Sequence, residues 1–274
     1  MNILVCVKQV PDTTEIKIDP IKNTLVREGV PSILNPFDGY ALEAAARIKD
    51  AVPTTNIVAL SMGPEQAKNV LRECLSIAAD NAYLLSDPIF SGSDTFATSY
   101  IISEAIKKVE TMEGRFDAIF CGKQAIDGDT AQVGPEIAEH LGYPQITCAL
   151  EATLDGNLLT VKKETDTGTA LLRSSLPCVV TFTKPAWDPR YPSIKRKMAA
   201  KKIDIPTMTA EDLPMLIPEQ SGLKGSPTKV KKTFVPAKKG GGILFSEVSA
   251  EVAAEKLLAL LRNANLLEGG DNGR

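Results

Sequence analysis

The sequence predicts an α/β fold, a doubly wound and mostly parallel sheet with an antiparallel extension and a C-terminal arm. Short apolar runs alternate with helical patterns over the first half of the chain, as in a parallel sheet covered on both faces. Two apolar runs separated by Asp155-Gly156-Asn157 then indicate an antiparallel hairpin. Prolines become frequent from about Lys184, and this shift predicts an arm without its own core.

Strand–helix units account for the parallel part of the sheet. The predicted strands are Ile3–Val7, Asn56–Ser61, Ala82–Leu85 and Phe116–Cys121. The predicted helices are Phe37–Lys49, a helix opened by Gly63-Pro64, a helix from Ser93-Asp94-Thr95 to about Val109, and Thr130–Leu141. Each helical segment carries apolar residues at helical spacing. We expect right-handed crossovers between the strands.

The pattern changes after Gln145. The predicted later strands are Ala149–Leu154, Leu158–Glu164, Gly168–Arg173 and Cys178–Thr183. Residues 203–242 contain few long apolar runs, so we expect an extended arm lying on another surface, most economically a partner chain. A helical pattern returns at Ala250–Leu267. We therefore divide the chain into an α/β domain, residues 1–185, and a loop, arm and C-terminal helix, residues 186–274.

Composition argues against several classes of function. The net charge is −3, so no basic field favours nucleic acid. The sequence has no 18-residue apolar run, and Met1–Lys8 predicts a first strand, so we expect neither a membrane span nor a signal peptide. Five scattered cysteines without a CxxC pair favour reduced thiols in a cytoplasmic protein. His140 is the only histidine, which argues against metal sites and Ser–His catalysis.

The most informative segment follows the fourth strand. It reads Gly122-Lys123-Gln124-Ala125-Ile126-Asp127-Gly128-Asp129-Thr130-Ala131-Gln132-Val133-Gly134. Ligands of open α/β sheets bind beyond the carboxyl ends of strands, and a helix N-terminus favours phosphate. Neither GxxxxGK[ST] nor GxGxxG is present, and Asp127 and Asp129 would repel a naked phosphate. We expect these carboxylates to cap backbone amides or to hold ribose hydroxyls, although the residues alone also suit a simple capped turn.

Three further turns are predicted to share this edge of the sheet. The first helix is preceded by Asn35-Pro36-Phe37-Asp38. Asp38 is an N-cap candidate, and Asn35 could hydrogen-bond a base or cap a turn. Met62-Gly63-Pro64 ends the second strand, and Ser93-Asp94-Thr95 begins the third helix. Convergent turns at one edge favour a ligand pocket.

A basic cluster, Lys195-Arg196-Lys197 with Lys201-Lys202, follows Arg190-Tyr191-Pro192-Ser193-Ile194. Two interpretations remain open. The cluster is a solvated run of charges, or Ile194 is an apolar docking residue among them. Trp187, the only tryptophan, could brace this loop.

Several motifs taken in order resemble the beta subunit of electron-transfer flavoproteins. They are Val7–Asp12, Asn35–Asp38, Gly122–Val133, Pro144–Thr147 and Pro189–Ile194, and the resemblance runs from residue 2 to about residue 205. It implies a fold related to adenine-nucleotide α-hydrolase-like domains. It also implies a heterodimer with an alpha subunit that carries an electron-shuttling FAD.

The resemblance implies site residues as well. The adenine-nucleotide site of the family corresponds to Cys6, Asn35, Pro36, Phe37, Asp38, Met62, Gly122, Lys123, Gln124, Ala125, Ile126, Asp127, Gly128, Asp129, Thr130, Ala131, Gln132 and Val133. We add Asp94 and Thr95 from the neighbouring turn. The loop that docks on a partner dehydrogenase corresponds to Arg190, Tyr191 and Ile194. We expect no catalytic side chain and no metal ligand.

Two subtypes of the family differ in what the site holds. Ordinary carriers hold AMP, whereas bifurcating forms hold a second FAD that takes a hydride from NADH. That FAD sends one electron to ferredoxin or flavodoxin and the other through the alpha subunit to a partner dehydrogenase or reductase. Val10–Thr13, Asp19-Pro20, Thr24–Ile33 and Gly128-Asp129-Thr130 resemble the bifurcating group. We therefore expect FAD and NADH, with an AMP-binding carrier and a stand-alone nucleotide-binding regulatory module as alternatives.

Overall fold

The computed structural model describes residues 1–12, 31–231, 240–246 and 248–267. They belong to two compact units, Met1–Thr233 and Phe234–Arg274. The strands in chain order are β1 Asn2–Cys6, β2 Gln9–Pro11, β3 Ser32–Leu34, β4 Asn56–Met62, β5 Asn81–Leu85, β6 Ala118–Gly122, β7 Gln145–Asp155, β8 Leu158–Thr165, β9 Gly168–Ser175, β10 Cys178–Phe182 and β11 Thr207–Met208. The α-helices are α1 Pro36–Ala51, α2 Lys68–Ile77, α3 Thr95–Glu113, α4 Val133–Leu141, α5 Ile194–Ala200, α6 Gly222–Gly225 and α7 Ala250–Asn263.

The first unit is built on a nine-stranded sheet in the order β11-β5-β4-β1-β6-β10-β7-β8-β9. The strands from β11 to β7 pair in parallel, and β8 and β9 continue the sheet antiparallel. A separate antiparallel pair joins β2 to β3. The predicted mostly parallel sheet and its antiparallel extension are therefore confirmed.

Helices cover both faces of the parallel strands. Apolar residues of α1 and α2 pack on one face of the sheet, and those of α3 and α4 pack on the other. Because both faces are covered, β1 buries Ile3, Leu4 and Val5 in succession instead of alternating apolar and polar residues. The chain leaves β1 toward β4 and leaves β6 toward β10, so the carboxyl ends of β1 and β6 flank the topological switch point.

Two local predictions at the helix starts are wrong. Asn35, and not Asp38, occupies the N-cap position of α1, since Pro36 is the first helical residue and needs no N–H partner there. Helix α4 begins at Val133 and not at Thr130. Asp129 and Ala131 have φ angles of +52° and +55°, a left-handed conformation that an α-helix cannot contain.

The predicted arm also differs in part from the structure. Residues 203–231 belong to the first unit, where β11 extends the sheet beside β5 and the side chains of Ile205, Met208 and Leu213 are buried. The apolar residues of this stretch are interrupted by prolines and polar residues and follow neither a helical nor a strand period, so the sequence did not indicate which of them are buried. The rest of the predicted arm falls partly on residues 232–239, outside the described residues, as do residues 13–30 of the motifs typical of the bifurcating subtype.

The second unit contains α7. Ser249 caps this helix by accepting a hydrogen bond from the Val252 amide at 3.4 Å. None of its residues is buried, and most of its apolar side chains are exposed, among them Val252, Leu257, Leu258 and Leu260. In the part of the chain that the structure describes, no helix is long and apolar enough to cross a membrane.

Candidate nucleotide-binding site

The predicted site segments meet at the carboxyl edge of the sheet. Strands β1, β4 and β6 are parallel neighbours, so their last residues, Cys6, Met62 and Gly122, lie at the same edge. The Asn35 side chain joins the start of α1 to the segment after β6. Its amide nitrogen donates to the Gln124 carbonyl at 2.9 Å, and its oxygen accepts from the Ile126 amide at 3.2 Å. Asn35 thus fixes a backbone turn, one of the two roles expected for it.

Asp38 connects the two strands of the switch point. Its carboxylate accepts hydrogen bonds from the backbone amides of Lys8 at 2.7 Å and Gly122 at 3.1 Å. The residue is 6% exposed, and burial raises the pKa of its carboxyl to about 7, although both amides and the charge of Lys8 act in the opposite direction. Asp38 therefore holds the loops after β1 and β6 together, a role that its position in the sequence did not reveal.

Two glycines allow the close approach of these elements. A Cβ atom on Gly122 would lie 2.7 Å from Phe37 Cβ and 2.8 Å from the Asp38 amide nitrogen. A Cβ atom on Gly134 would lie 2.5 Å from Thr181 Cγ2. All three distances are shorter than ordinary contacts, so only glycine lets β6 meet α1 and lets α4 meet the sheet.

The two acidic residues of the segment bind side chains. Asp127 accepts from Lys8 Nζ at 2.7 and 2.9 Å, and Asp129 accepts from Gln124 Nε2 at 2.7 Å. Neither caps a backbone amide within the described residues, contrary to one of the two expectations. The positive charge of Lys8 instead offsets the negative charge of Asp127, which reduces the repulsion of an approaching phosphate.

The end of the segment presents free backbone donors. No hydrogen bond between described residues uses the amides of Thr130, Ala131 or Gln132. The amides of Val133 and Gly134 belong to the first turn of α4, where a helix supplies no acceptor. Consecutive free amides at a helix N-terminus suit a phosphate or pyrophosphate, so the residues present fit a nucleotide.

The neighbouring turn at α3 is held by other contacts. Asp94 caps α3 by accepting from the Ala97 amide at 3.1 Å, and its second oxygen accepts from the Thr228 amide and hydroxyl at 2.9 and 2.7 Å. Thr95 donates to Glu136 Oε1 in α4 at 3.2 Å. These contacts tie Asp94 to the chain beyond β11 and tie α3 to α4.

The three predicted docking residues lie apart from this cluster. The Arg190 guanidinium contacts Glu43 and Asp50, in the middle and last turn of α1, whereas the nucleotide segment meets the first turn of that helix. Tyr191 and Ile194 are 95% and 79% exposed. The structure therefore separates a bound arginine from two solvent-facing apolar side chains.

Sequence reasoning missed the roles of two charged residues. The backbone amide of Lys8 donates to Asp38, and its side chain forms an ion pair with Asp127. The sequence indicated Lys8 only as one position of a family motif. Glu43 lies within an alanine-rich apolar stretch and is 3% exposed. A carboxylate in such a stretch signals a buried, paired charge, because an unpaired one is strongly disfavoured.

Comparisons with known proteins show the family of the chain. A family model described as electron transfer flavoprotein domain matches residues 22–213. The chain is 50% identical over 267 residues to an electron transfer flavoprotein subunit beta of Megasphaera elsdenii, covering 94% of this chain and 98% of that protein. It is 45% identical over 267 residues to the caffeyl-CoA reductase-Etf complex subunit CarD of Acetobacterium woodii, covering 97% and 100%. Protein FixA of Azorhizobium caulinodans is 38% identical over 262 residues, with 94% and 93% covered. With such similarity over nearly its whole length, the chain belongs to the electron transfer flavoprotein family, among its beta subunits.

Proposed function

We propose that this chain pairs with an alpha subunit and binds FAD at the carboxyl edge of its sheet, where the FAD takes a hydride from NADH for electron bifurcation. The observation that carries the proposal is the run of free amides from Thr130 to Gly134 at the start of α4. Five consecutive donors suit a phosphate or pyrophosphate and so carry the nucleotide site, whereas the choice of FAD rests on the similarities that follow. The similarity of Gly128-Asp129-Thr130 to the bifurcating group, and the 45% identity to a subunit of a caffeyl-CoA reductase-Etf complex, support it further.

The residues of this chain would bind and orient the cofactor. Bound FAD supplies the chemistry, which is to accept a hydride and release its electrons to different acceptors. Asn35 and Asp38 hold the backbone of the segment in place, and Lys8 holds Asp127. A site fixed before binding loses little conformational entropy when the nucleotide arrives.

A second proposal concerns partners. Tyr191 and Ile194 are exposed apolar side chains close in sequence to the exposed lysines of the basic cluster, Lys195, Lys197, Lys201 and Lys202. This surface suits a dehydrogenase or reductase with an apolar recess bordered by carboxylates. Ferredoxin or flavodoxin is the proposed second acceptor.

The five cysteines are all free, which fits the reducing cytoplasm as the proposed location of the protein.

The alternative function is an electron carrier in which AMP fills the same site. Backbone amides serve the phosphate of either nucleotide, so the donors favour neither by themselves. An anaerobic titration of the heterodimer with NADH separates the two functions. We expect NADH to bleach the flavin absorbance and, with ferredoxin and an acyl-CoA dehydrogenase present, to reduce ferredoxin. Flavin absorbance that does not respond to NADH would refute bifurcation.

A further inference from the structure

The loop that follows β10 exposes apolar side chains from a firmly held backbone. We call residues 187–198 the docking loop; they comprise the loop before α5 and the first five residues of that helix. Within it Tyr191 is 95% exposed, Ile194 is 79% exposed and Met198 is 63% exposed. Exposed apolar side chains on a free loop would move independently, and a partner would have to order them on binding. The contacts of the loop therefore decide how well it presents them.

Arg190 fastens the first half of the docking loop to α1. Its Nε and Nη2 atoms donate to the two oxygens of Glu43 at 2.7 and 3.1 Å. Its Nη1 and Nη2 atoms donate to Asp50 at 3.2 and 2.6 Å, and its backbone amide donates to Glu43 at 3.1 Å. These two forked pairs occupy four of the five N–H groups of the guanidinium. Most of the hydrogen-bonding capacity of Arg190 is therefore used within the chain and is not available to a partner.

The burial of Glu43 makes this contact strong. Glu43 is 3% exposed, and its other cation is Arg47, whose Nε donates to it at 3.1 Å. Breaking one side of a buried ion pair leaves a charge in a poorly solvated place, which is strongly unfavourable. The side chain of Arg47 also stacks on Trp187, with its guanidinium carbon 4.4 Å from the ring centroid. Glu43 thus fixes two arginines that hold the same end of the loop.

Further arginine contacts hold the second half of the docking loop. Arg196 Nη2 donates to the carbonyls of Leu75 and Ala79, at the end of α2, at 3.2 and 2.9 Å. Arg72 of α2 donates to the carbonyl of Ala200 at 3.2 Å, just beyond the loop. The loop is therefore fixed at both ends, and the apolar side chains lie between the fixed points.

We propose that Arg190 is a positioning residue, which holds Tyr191 and Ile194 in a preformed arrangement for a partner dehydrogenase without touching the partner. This inference rests on the proposed docking function and changes the role predicted for Arg190. Without the contacts of Arg190, the loop would become ordered only when the partner binds, and the entropy cost of ordering it would weaken binding. We expect the apparent KM of the dehydrogenase for the heterodimer to rise about tenfold, with kcat unchanged.

The test uses the full heterodimer and a purified acyl-CoA dehydrogenase as the probe. The apparent KM and kcat for electron transfer are measured for the wild type, Arg190→Gln, Arg190→Lys and Ile194→Ala. Amide hydrogen exchange of residues 187–198 is followed in the same preparations. Arg115→Gln is the matched control, because it removes a solvent-exposed arginine whose side chain has no hydrogen bond among the described residues. We expect Arg115→Gln to change neither the apparent KM nor the amide exchange of the docking loop.

The expected result is a higher KM for both Arg190→Gln and Ile194→Ala, faster exchange of the loop in Arg190→Gln alone, and partial recovery in Arg190→Lys. A normal KM for Arg190→Gln, with a raised one for Ile194→Ala, would overturn the positioning role and leave docking intact. A raised KM with unchanged exchange would also overturn it, since Arg190 would then contact the partner. If Ile194→Ala has a normal KM, the docking function itself fails. Should Arg190→Gln not assemble, Asp50→Asn, which removes only the more exposed carboxylate, is judged by the same criteria.

Discussion

Replacing Gly122 by alanine tests the close contact between β6 and α1 at the nucleotide site. The added Cβ would lie 2.7 Å from Phe37 Cβ and 2.8 Å from the Asp38 amide nitrogen, both well inside normal contact. Relief requires a shift that also weakens the 3.1 Å hydrogen bond from the Gly122 amide to Asp38. Overpacking costs about 1–3 kcal/mol, and a hydrogen bond to a largely neutral carboxyl contributes about 0.5–1.5 kcal/mol. The expected destabilisation is therefore roughly 2–4 kcal/mol, or a fall in melting temperature of about 10 °C for a unit of this size.

The assay is thermal unfolding of the heterodimer, together with the nucleotide retained after gel filtration. Gly128→Ala is the matched control, because an added Cβ there meets nothing within 4 Å and the residue lies in the same segment. We expect the control to stay within about 0.5 kcal/mol of the wild type and to keep its nucleotide. Equal melting temperatures for the two variants would refute the claim that Gly122 is required by packing.

Three further predictions concern the same edge of the sheet. Lys8→Ala should reduce the retained nucleotide while changing stability by less than about 1 kcal/mol, since the Lys8–Asp127 pair is partly exposed. The control Lys68→Ala, which breaks an ion pair at the start of α2, should leave the nucleotide in place. Equal nucleotide retention in the two variants would contradict the role of Lys8. Gly134→Ala should destabilise by about 1–3 kcal/mol, and adding Thr181→Ser should restore much of it by removing the clashing methyl, a coupling that a double-mutant cycle measures. Burial raises the pKa of Asp38 to about 7 from 3.8, so the stability that its protonated form contributes is complete below pH 4 and is lost as pH rises through 7. The melting temperature of Asp38→Asn should therefore fall less than that of the wild type between pH 5 and pH 8. Parallel melting curves against pH for the two proteins would argue against the raised pKa.

Much of the sheet was predictable because its strands are continuous apolar runs bounded by turn residues. Ile3–Val7 and Phe116–Cys121 were placed within a residue or two of β1 and β6. The place of residues 122–134 at the carboxyl edge of the sheet was predictable for a related reason. A glycine-containing turn between a strand and a helix lies, in a parallel sheet, at the edge where ligands bind.

What the sequence did not reveal depends on contacts between distant residues. Asp38 looked like a helix cap, yet its partners are the amides of Lys8 and Gly122, 30 and 84 positions away. Arg190 looked like a docking residue, yet its partners are carboxylates of α1. A local pattern identifies a charged residue and not the residue that it pairs with, so such roles required the fold.

The cofactor content of the wild-type heterodimer tests the central claim most directly. The chain is co-expressed with its alpha subunit, and FAD and AMP are released and counted per heterodimer. Binding of FAD by both subunits predicts two FAD and no AMP. One FAD with one AMP would contradict the account and make the Gly122–Val133 segment a structural AMP site.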